Sequence, residues 1–205
     1  MEKPVALGAD HGGFALKEAV RAHLDERGVP YVDYGTHSEA SVDYPDMAVP
    51  PCEAVVRGEC ACALLFCGTG VGISMAANKL DGIRACCCSD AFSAKYTRLH
   101  NDANALCLGG RVVGPGLACE LVDLFLDTPF EGGRHAGRVA KISALEQSCS
   151  LGAITEADKL SQIDAVLAGV QHGQTAGLLL CMTVLPCALM FVSYLLYIKK
   201  YRLDE

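Results

Sequence analysis

Cys67 is followed by Gly68-Thr69-Gly70-Val71-Gly72 and preceded by the apolar run Ala63-Leu64-Leu65-Phe66. The segment reads as a buried strand, a thiol, a turn of bare amides and a helix-compatible run from Ile73 to Lys79. Consecutive backbone N–H groups and a helix start can hold an anion, and both favour negative charge on a neighbouring sulfur. The chemistry this allows is a base set beside an anion-stabilising loop. Taken alone, the glycine turn is a weak signal, since the Gly-Lys-Ser/Thr ending of a nucleotide loop is missing. A cysteine ending a buried strand is also commonly a packing residue.

Further polar groupings have plain readings of their own. Asp10-His11-Gly12-Gly13 can be a helix entry with Asp10 as the cap. His100-Asn101-Asp102 can be a polar helix-to-strand turn. Arg134 and Arg138, four residues apart, can form a solvated helix face or a phosphate clamp.

The elements that must position these groups alternate in type. Strands are expected at Val5–Gly8, Val29–Tyr34, Ala61–Phe66, Ile83–Cys87 and Ala103–Leu108. Helices are expected at Phe14–Arg27, Pro45–Arg57, from Gly72 to Lys79, and at Asp90–Leu99, Pro115–Leu126 and Arg138–Gln147. Pro50-Pro51 should bend or break the second helix. Strand alternating with helix implies an α/β fold: a doubly wound, five-stranded parallel sheet covered on both faces. Ligands of such sheets bind beyond the carboxyl ends of the strands. Asp10 and His11, the Cys67–Gly72 loop, and Gly109-Gly110-Arg111 all fall there, and this joint placement is what favours a site.

The chain has 205 residues, 51% of them apolar, and a formal net charge of -7. That is enough for one domain plus an appendage, and the charge argues against general affinity for nucleic acid. None of the twelve cysteines follows a signal peptide, so they read as reduced, with Cys86, Cys87 and Cys88 as small core residues. Cys60 and Cys62 could begin a metal site, but no second pair at zinc-finger spacing follows and zinc is not expected.

Residues 1–147 resemble the ribose-5-phosphate isomerase B family, shared with the galactose-6-phosphate isomerase subunits. The resemblance rests on Gly8-Ala9-Asp10-His11-Gly12-Gly13-Phe14, Asp43-Tyr44-Pro45, Cys67 to Ser74, Ala76-Ala77-Asn78-Lys79, Gly82-Ile83-Arg84-Ala85, His100 to Asn104, Gly109 to Gly114 and Phe130-Glu131-Gly132-Gly133-Arg134-His135. It implies a Rossmann-like fold and a cytoplasmic isomerase of the pentose phosphate pathway that interconverts an aldose and a ketose phosphate. No metal or organic cofactor is implied, and the active sites are shared in a homodimer. Cys67 matches the base and His100 the residue that opens the furanose ring; Thr69 would hydrogen-bond to the thiol or to a substrate oxygen. Asp10, His11, Tyr44, Asn101 and the loop residues Gly68, Gly70, Val71 and Gly72 match substrate contacts. Arg111, Arg134 and Arg138 match the phosphate-binding set. Some relatives use a glutamate as base just after the last glycine; here that position is Ile73, which cannot take a proton. Alternative readings are a galactose-6-phosphate isomerase subunit, an allose-6-phosphate isomerase, or a non-catalytic, membrane-tethered sugar-phosphate sensor.

Beyond residue 147 the character changes. Residues 148–175 read as a linker. Residues 176–198 are 23 positions without a charge, followed by the basic and polar tail 199–205. The length suits a transmembrane helix, which needs about 20 apolar residues, and implies possible membrane contact. This tail is similar to the last helix of a glycoside–pentoside–hexuronide sugar–cation symporter. It is read either as a fused fragment or as a membrane tether.

Overall fold

The computed structural model describes residues 3–151. The expected span 176–198 and tail 199–205, and all but the start of the expected linker, lie outside the described residues. Residues 1–148 form one compact unit. Among the described residues, no helix is long and apolar enough to cross a membrane.

The elements run β1 (Val5–Ala9), α1 (Phe14–Glu26), β2 (Tyr31–Asp33), α2 (Tyr44–Val56), β3 (Ala63–Cys67), α3 (Val71–Ala77), β4 (Ala85–Cys87), α4 (Ala91–Asn101), β5 (Ala105–Gly109), α5 (Pro115–Asp127) and α6 (Arg134–Leu151). All strand pairs are parallel, in the order β2-β1-β3-β5-β4. The three central strands β1, β3 and β5 are buried throughout, which explains their unbroken apolar runs.

Alternation along β3 sends side chains to two cores. Leu64 and Phe66 join Leu16, Val20 and Leu24 of α1 and Leu121, Val122 and Phe125 of α5. Ala63, Leu65 and Cys67 join Ala48 and Cys52 of α2 and Ile73 and Ala77 of α3. Helices thus cover both faces of the sheet, and the Cys67 side chain lies on the α2/α3 side.

Several expectations need correction. Helix α2 continues through Pro50 and Pro51. Pro51 is buried, and a Cβ on Gly8 would stand 2.8 Å from its ring and 2.7 Å from the Met47 carbonyl. The bare glycine of β1 leaves room for the proline ring, and tertiary packing offsets the helix bonds that the two prolines cannot make. Strands β2 and β4 are three-residue edges, shorter than their apolar runs suggested. Helix α4 continues two residues past Leu99, so His100 and Asn101 form its last turn, closed by Asp102 in the left-handed conformation (φ 45°). Helix α6 begins at Arg134 and runs to Leu151, so Arg134 and Arg138 both lie near its start. Cys87 is exposed rather than a core residue, while Cys88 is buried and Cys86 half-buried.

Candidate active site

Strand β1 connects outward to β2, whereas β3 lies on the other side of β1 and leads towards β5 and β4. The winding direction reverses between β1 and β3, and their carboxyl ends open the crevice where doubly wound sheets bind ligands. Asp10 and His11 leave β1 there, and Cys67 ends β3 beside them.

Cys67 is 4% exposed, and the Gly70 N–H donates to its sulfur at 3.0 Å. Gly70 itself takes the left-handed conformation (φ 78°), which a residue without a Cβ adopts without strain. The Thr69 hydroxyl does not supply this bond; it accepts the Val71 N–H at 3.3 Å. Beyond the strand ends the loop stays tied to the one after β5. Gly110 N–H donates to the Cys67 carbonyl at 2.8 Å and Arg111 N–H to the Gly68 carbonyl at 3.0 Å. The Arg111 guanidinium lies over Gly68, 3.5 Å from where a Cβ would stand. The Tyr44 ring lies against Gly72, 2.9 Å from its Cβ position. Val71 is exposed at the start of α3, and Ile73 is fully buried in the core.

The buried Asp10 carboxylate accepts the Gly13 N–H at 2.9 Å; Gly13 itself is the N-cap of α1, so Asp10 holds the turn before the helix and is not the cap expected from the sequence. His11 Nδ1 lies 3.2 Å from the Val42 carbonyl and 3.3 Å from the Val42 N–H, tying the β2–α2 loop to the crevice. Asp10, His11, Tyr44, residues 67–72 and Arg111 therefore form one group.

His100, Asn101 and Arg134 belong to a second group, where the end of α4 meets the start of α6. The His100 and His135 rings are parallel to within 6°, with centroids 4.0 Å apart. Tyr96 meets His100 edge-on at 4.9 Å. Arg134 and Arg138 are exposed, and Arg134 Nε donates to His135 Nε2 at 3.3 Å. Asn101 is exposed, and its carbonyl accepts the Arg84 guanidinium at 3.2 Å. A cleft of about 330 Å³ next to this group is lined by His100, Asn101, Tyr96 and Cys87 among others. Cys87 Sγ in turn lies 3.7 Å from the Thr69 carbonyl, so one lining residue of the cleft also touches the thiol loop.

Charge separates the candidates further. Burial pushes the Cys52, Cys62 and Cys88 thiols up to about 12 and Cys107 well above its ordinary range. Cys87 is raised as well, by burial first and then by Cys67 and Cys86. These thiols stay protonated at neutral pH and do not serve as bases. Burial, then His100 and Arg134, hold His135 below its ordinary value, so it is neutral at neutral pH.

Glu131 and His135 stand in a motif that the sequence displays, yet nothing in the sequence singled them out. Their i, i+4 spacing was the available signal. With His100 they bring three possible ligand atoms within 4.8 Å of one another. Arg134 already occupies the His135 Nε2 lone pair, and two parallel rings offer no nearby point in both their planes. The group is built as a stacked imidazole pair under a carboxylate and does not fit a cation.

The profile of the ribose/galactose isomerase family matches residues 5–142. Over 145 residues the chain is 52% identical to ribose-5-phosphate isomerase B of Escherichia coli strain K12, covering 71% of this chain and 97% of that protein. The structure is similar to that of ribose-5-phosphate isomerase B from Clostridium thermocellum, with a TM-score of 0.70 and 50% identity over 71% of this chain and 98% of that one. It is also similar to the Mycoplasma genitalium ribose-5-phosphate isomerase B solved with ribulose 5-phosphate bound, with a TM-score of 0.68 and 37% identity over 72% of this chain and 98% of that one. With the profile spanning the whole sheet and its covering helices, and both strand-end loops inside it, the chain belongs to the ribose/galactose isomerase family.

Proposed function

We propose that the chain interconverts ribose 5-phosphate and ribulose 5-phosphate through an enediolate, with Cys67 as the base and His100 opening the furanose ring. The observation that carries this reading is the nearly buried Cys67 sulfur at the β1/β3 crevice, with the Gly70 amide directed at it. The names of the similar proteins support the substrate. In the reaction, His100 opens the ring and Cys67 takes the proton from C2. Negative charge then develops on the C1 oxygen, and preorganised N–H groups of residues 68–72 stabilise it more than they stabilise the ground-state carbonyl. The C2 hydroxyl proton passes to the C1 oxygen, and return of the carbon-bound proton from Cys67 to C1 then completes the transfer. Asp10, His11, Tyr44 and Asn101 hold the sugar, with Thr69 near the reacting carbonyl. Arg111, Arg134 and Arg138 hold the phosphate, for which planar guanidiniums are well suited.

The site draws on two groups, one around Cys67 and one around His100. A homodimer that brings the second group of one protomer to the first group of its partner accounts for both. The isomerase domain acts in the cytoplasm, where sugar phosphates are held, and residues 176–198 are a candidate for membrane contact.

Cys67→Ala tests the reading. Turnover of ribose 5-phosphate should fall by about a thousandfold or more, with circular dichroism and melting temperature close to wild type. Turnover within about tenfold of wild type would remove Cys67 as the base.

A further inference from the structure

His100 has two ring nitrogens, and its surroundings distinguish them. Beneath it lies His135, 4% exposed, with its ring parallel to that of His100 at 4.0 Å. Arg134 is a donor only, so its Nε–H must be given to His135 Nε2, 3.3 Å away. His135 is thereby an acceptor at Nε2 and carries its ring proton on Nδ1. The Glu131 carboxylate places Oε2 3.6 Å from His100 Nε2 and 3.7 Å from His135 Nε2. An ionised carboxylate oxygen only accepts. Towards His135 it meets an occupied lone pair, whereas towards His100 it gains if the proton sits on Nε2. The segment is anchored for this, since the Glu131 N–H donates to the Leu99 carbonyl at 3.0 Å.

The geometry points to Glu131 as a positioning residue that holds His100 in its Nε2–H tautomer, leaving Nδ1 to move the proton in ring opening. The inference rests on the assignment of ring opening to His100. In that step Nδ1 takes the proton of the anomeric hydroxyl O1. The C1–O1 bond becomes a carbonyl as C1–O4 breaks, and Nδ1 returns the proton to O4. The Glu131 carboxylate takes no proton in either transfer and stabilises the imidazolium that exists between them. The 3.6 Å separation is an ion-pair distance, longer than a hydrogen bond. Stacking on His135 and the edge contact from Tyr96 keep the His100 ring plane fixed while this happens.

The test uses the full chain and two readouts. Ribulose 5-phosphate has its C5 oxygen esterified and cannot close a five-membered ring. Its C1 hydrogen therefore exchanges with D2O through the enediolate without any ring opening. In Glu131→Gln, at a side chain 56% exposed and so undemanding for folding, kcat for ribose 5-phosphate should fall about tenfold. Deuterium incorporation at C1 of ribulose 5-phosphate should stay within about twofold of wild type. Glu131→Asp should recover part of the loss. Equal loss in both readouts, or loss in neither, overturns the role of Glu131. His100→Ala serves as the control and should show the same split more strongly. If His100→Ala shows no split, the ring-opening assignment itself fails. If it does and Glu131→Gln does not, only the positioning role fails.

Discussion

Gly70 meets two demands at one residue. Its φ of 78° lies where a side chain is strained, and a Cβ there would stand 2.9 Å from both Cys87 Sγ and the Leu108 carbonyl carbon. Its amide is also the group that contacts the Cys67 sulfur. Gly70→Ala should therefore cost about 1–3 kcal/mol of stability in urea unfolding and lower kcat as well, because the turn cannot relieve the clash without moving that amide. Unchanged stability and kcat together would show that the turn has room to adjust. The thiol and its glycine loop were legible in the sequence because they are contiguous. Glu131 and His135 were not, because their partner His100 lies about thirty positions away and becomes their neighbour only when α4 ends where α6 begins.

Elements depend on groups brought from elsewhere in the chain. Lys17 of α1 is fully buried, and its Nζ donates to both Asp33 carboxylate oxygens, at 2.8 and 2.7 Å, and to the Thr36 carbonyl at 2.7 Å. The pair fastens α1 to the end of β2, beside the loop whose Gly35 and Thr36 continue hydrogen bonding to Ala9. Among the described residues, Lys17→Met leaves Asp33 with the more distant Arg21 and His37, both at 3.7 Å, and with the Gly35 N–H. Equilibrium denaturation should show a loss of about 3–5 kcal/mol, partly restored by Asp33→Leu in the same chain, because a buried pair is costly mainly when half of it is removed. A loss below about 1 kcal/mol would place the Lys17 ammonium in water. Element types were legible from hydrophobic period. Where elements end was less so: α2 keeps its prolines because Gly8 makes room for Pro51, and α4 gains His100 through a left-handed cap at Asp102.

At the scale of the molecule, residues 1–148 form a compact unit and the family profile ends inside it, at residue 142. A chain cut after Ser148 should keep kcat for ribose 5-phosphate within about twofold of the full chain. If residues 176–198 contact membrane, the full chain should pellet with carbonate-washed membranes and the shortened one should not. Loss of activity on cutting would show that the C-terminal residues complete the enzyme. By itself the sequence determined the α/β class, the two-faced sheet and the Cys67 loop at a strand end. Each of those follows from local period and adjacent residues. Only the tertiary structure decided the order β2-β1-β3-β5-β4, and with it the reversal that sets Asp10 beside Cys67. It also decided the stacking of His100 on His135 under Glu131, since contacts between distant segments depend on how helices and strands pack, and no local pattern encodes that. The placing of Cys67 and its glycine loop at a strand end was thus readable from adjacent residues, while the crevice they face and the partners of His100 came from the packing alone.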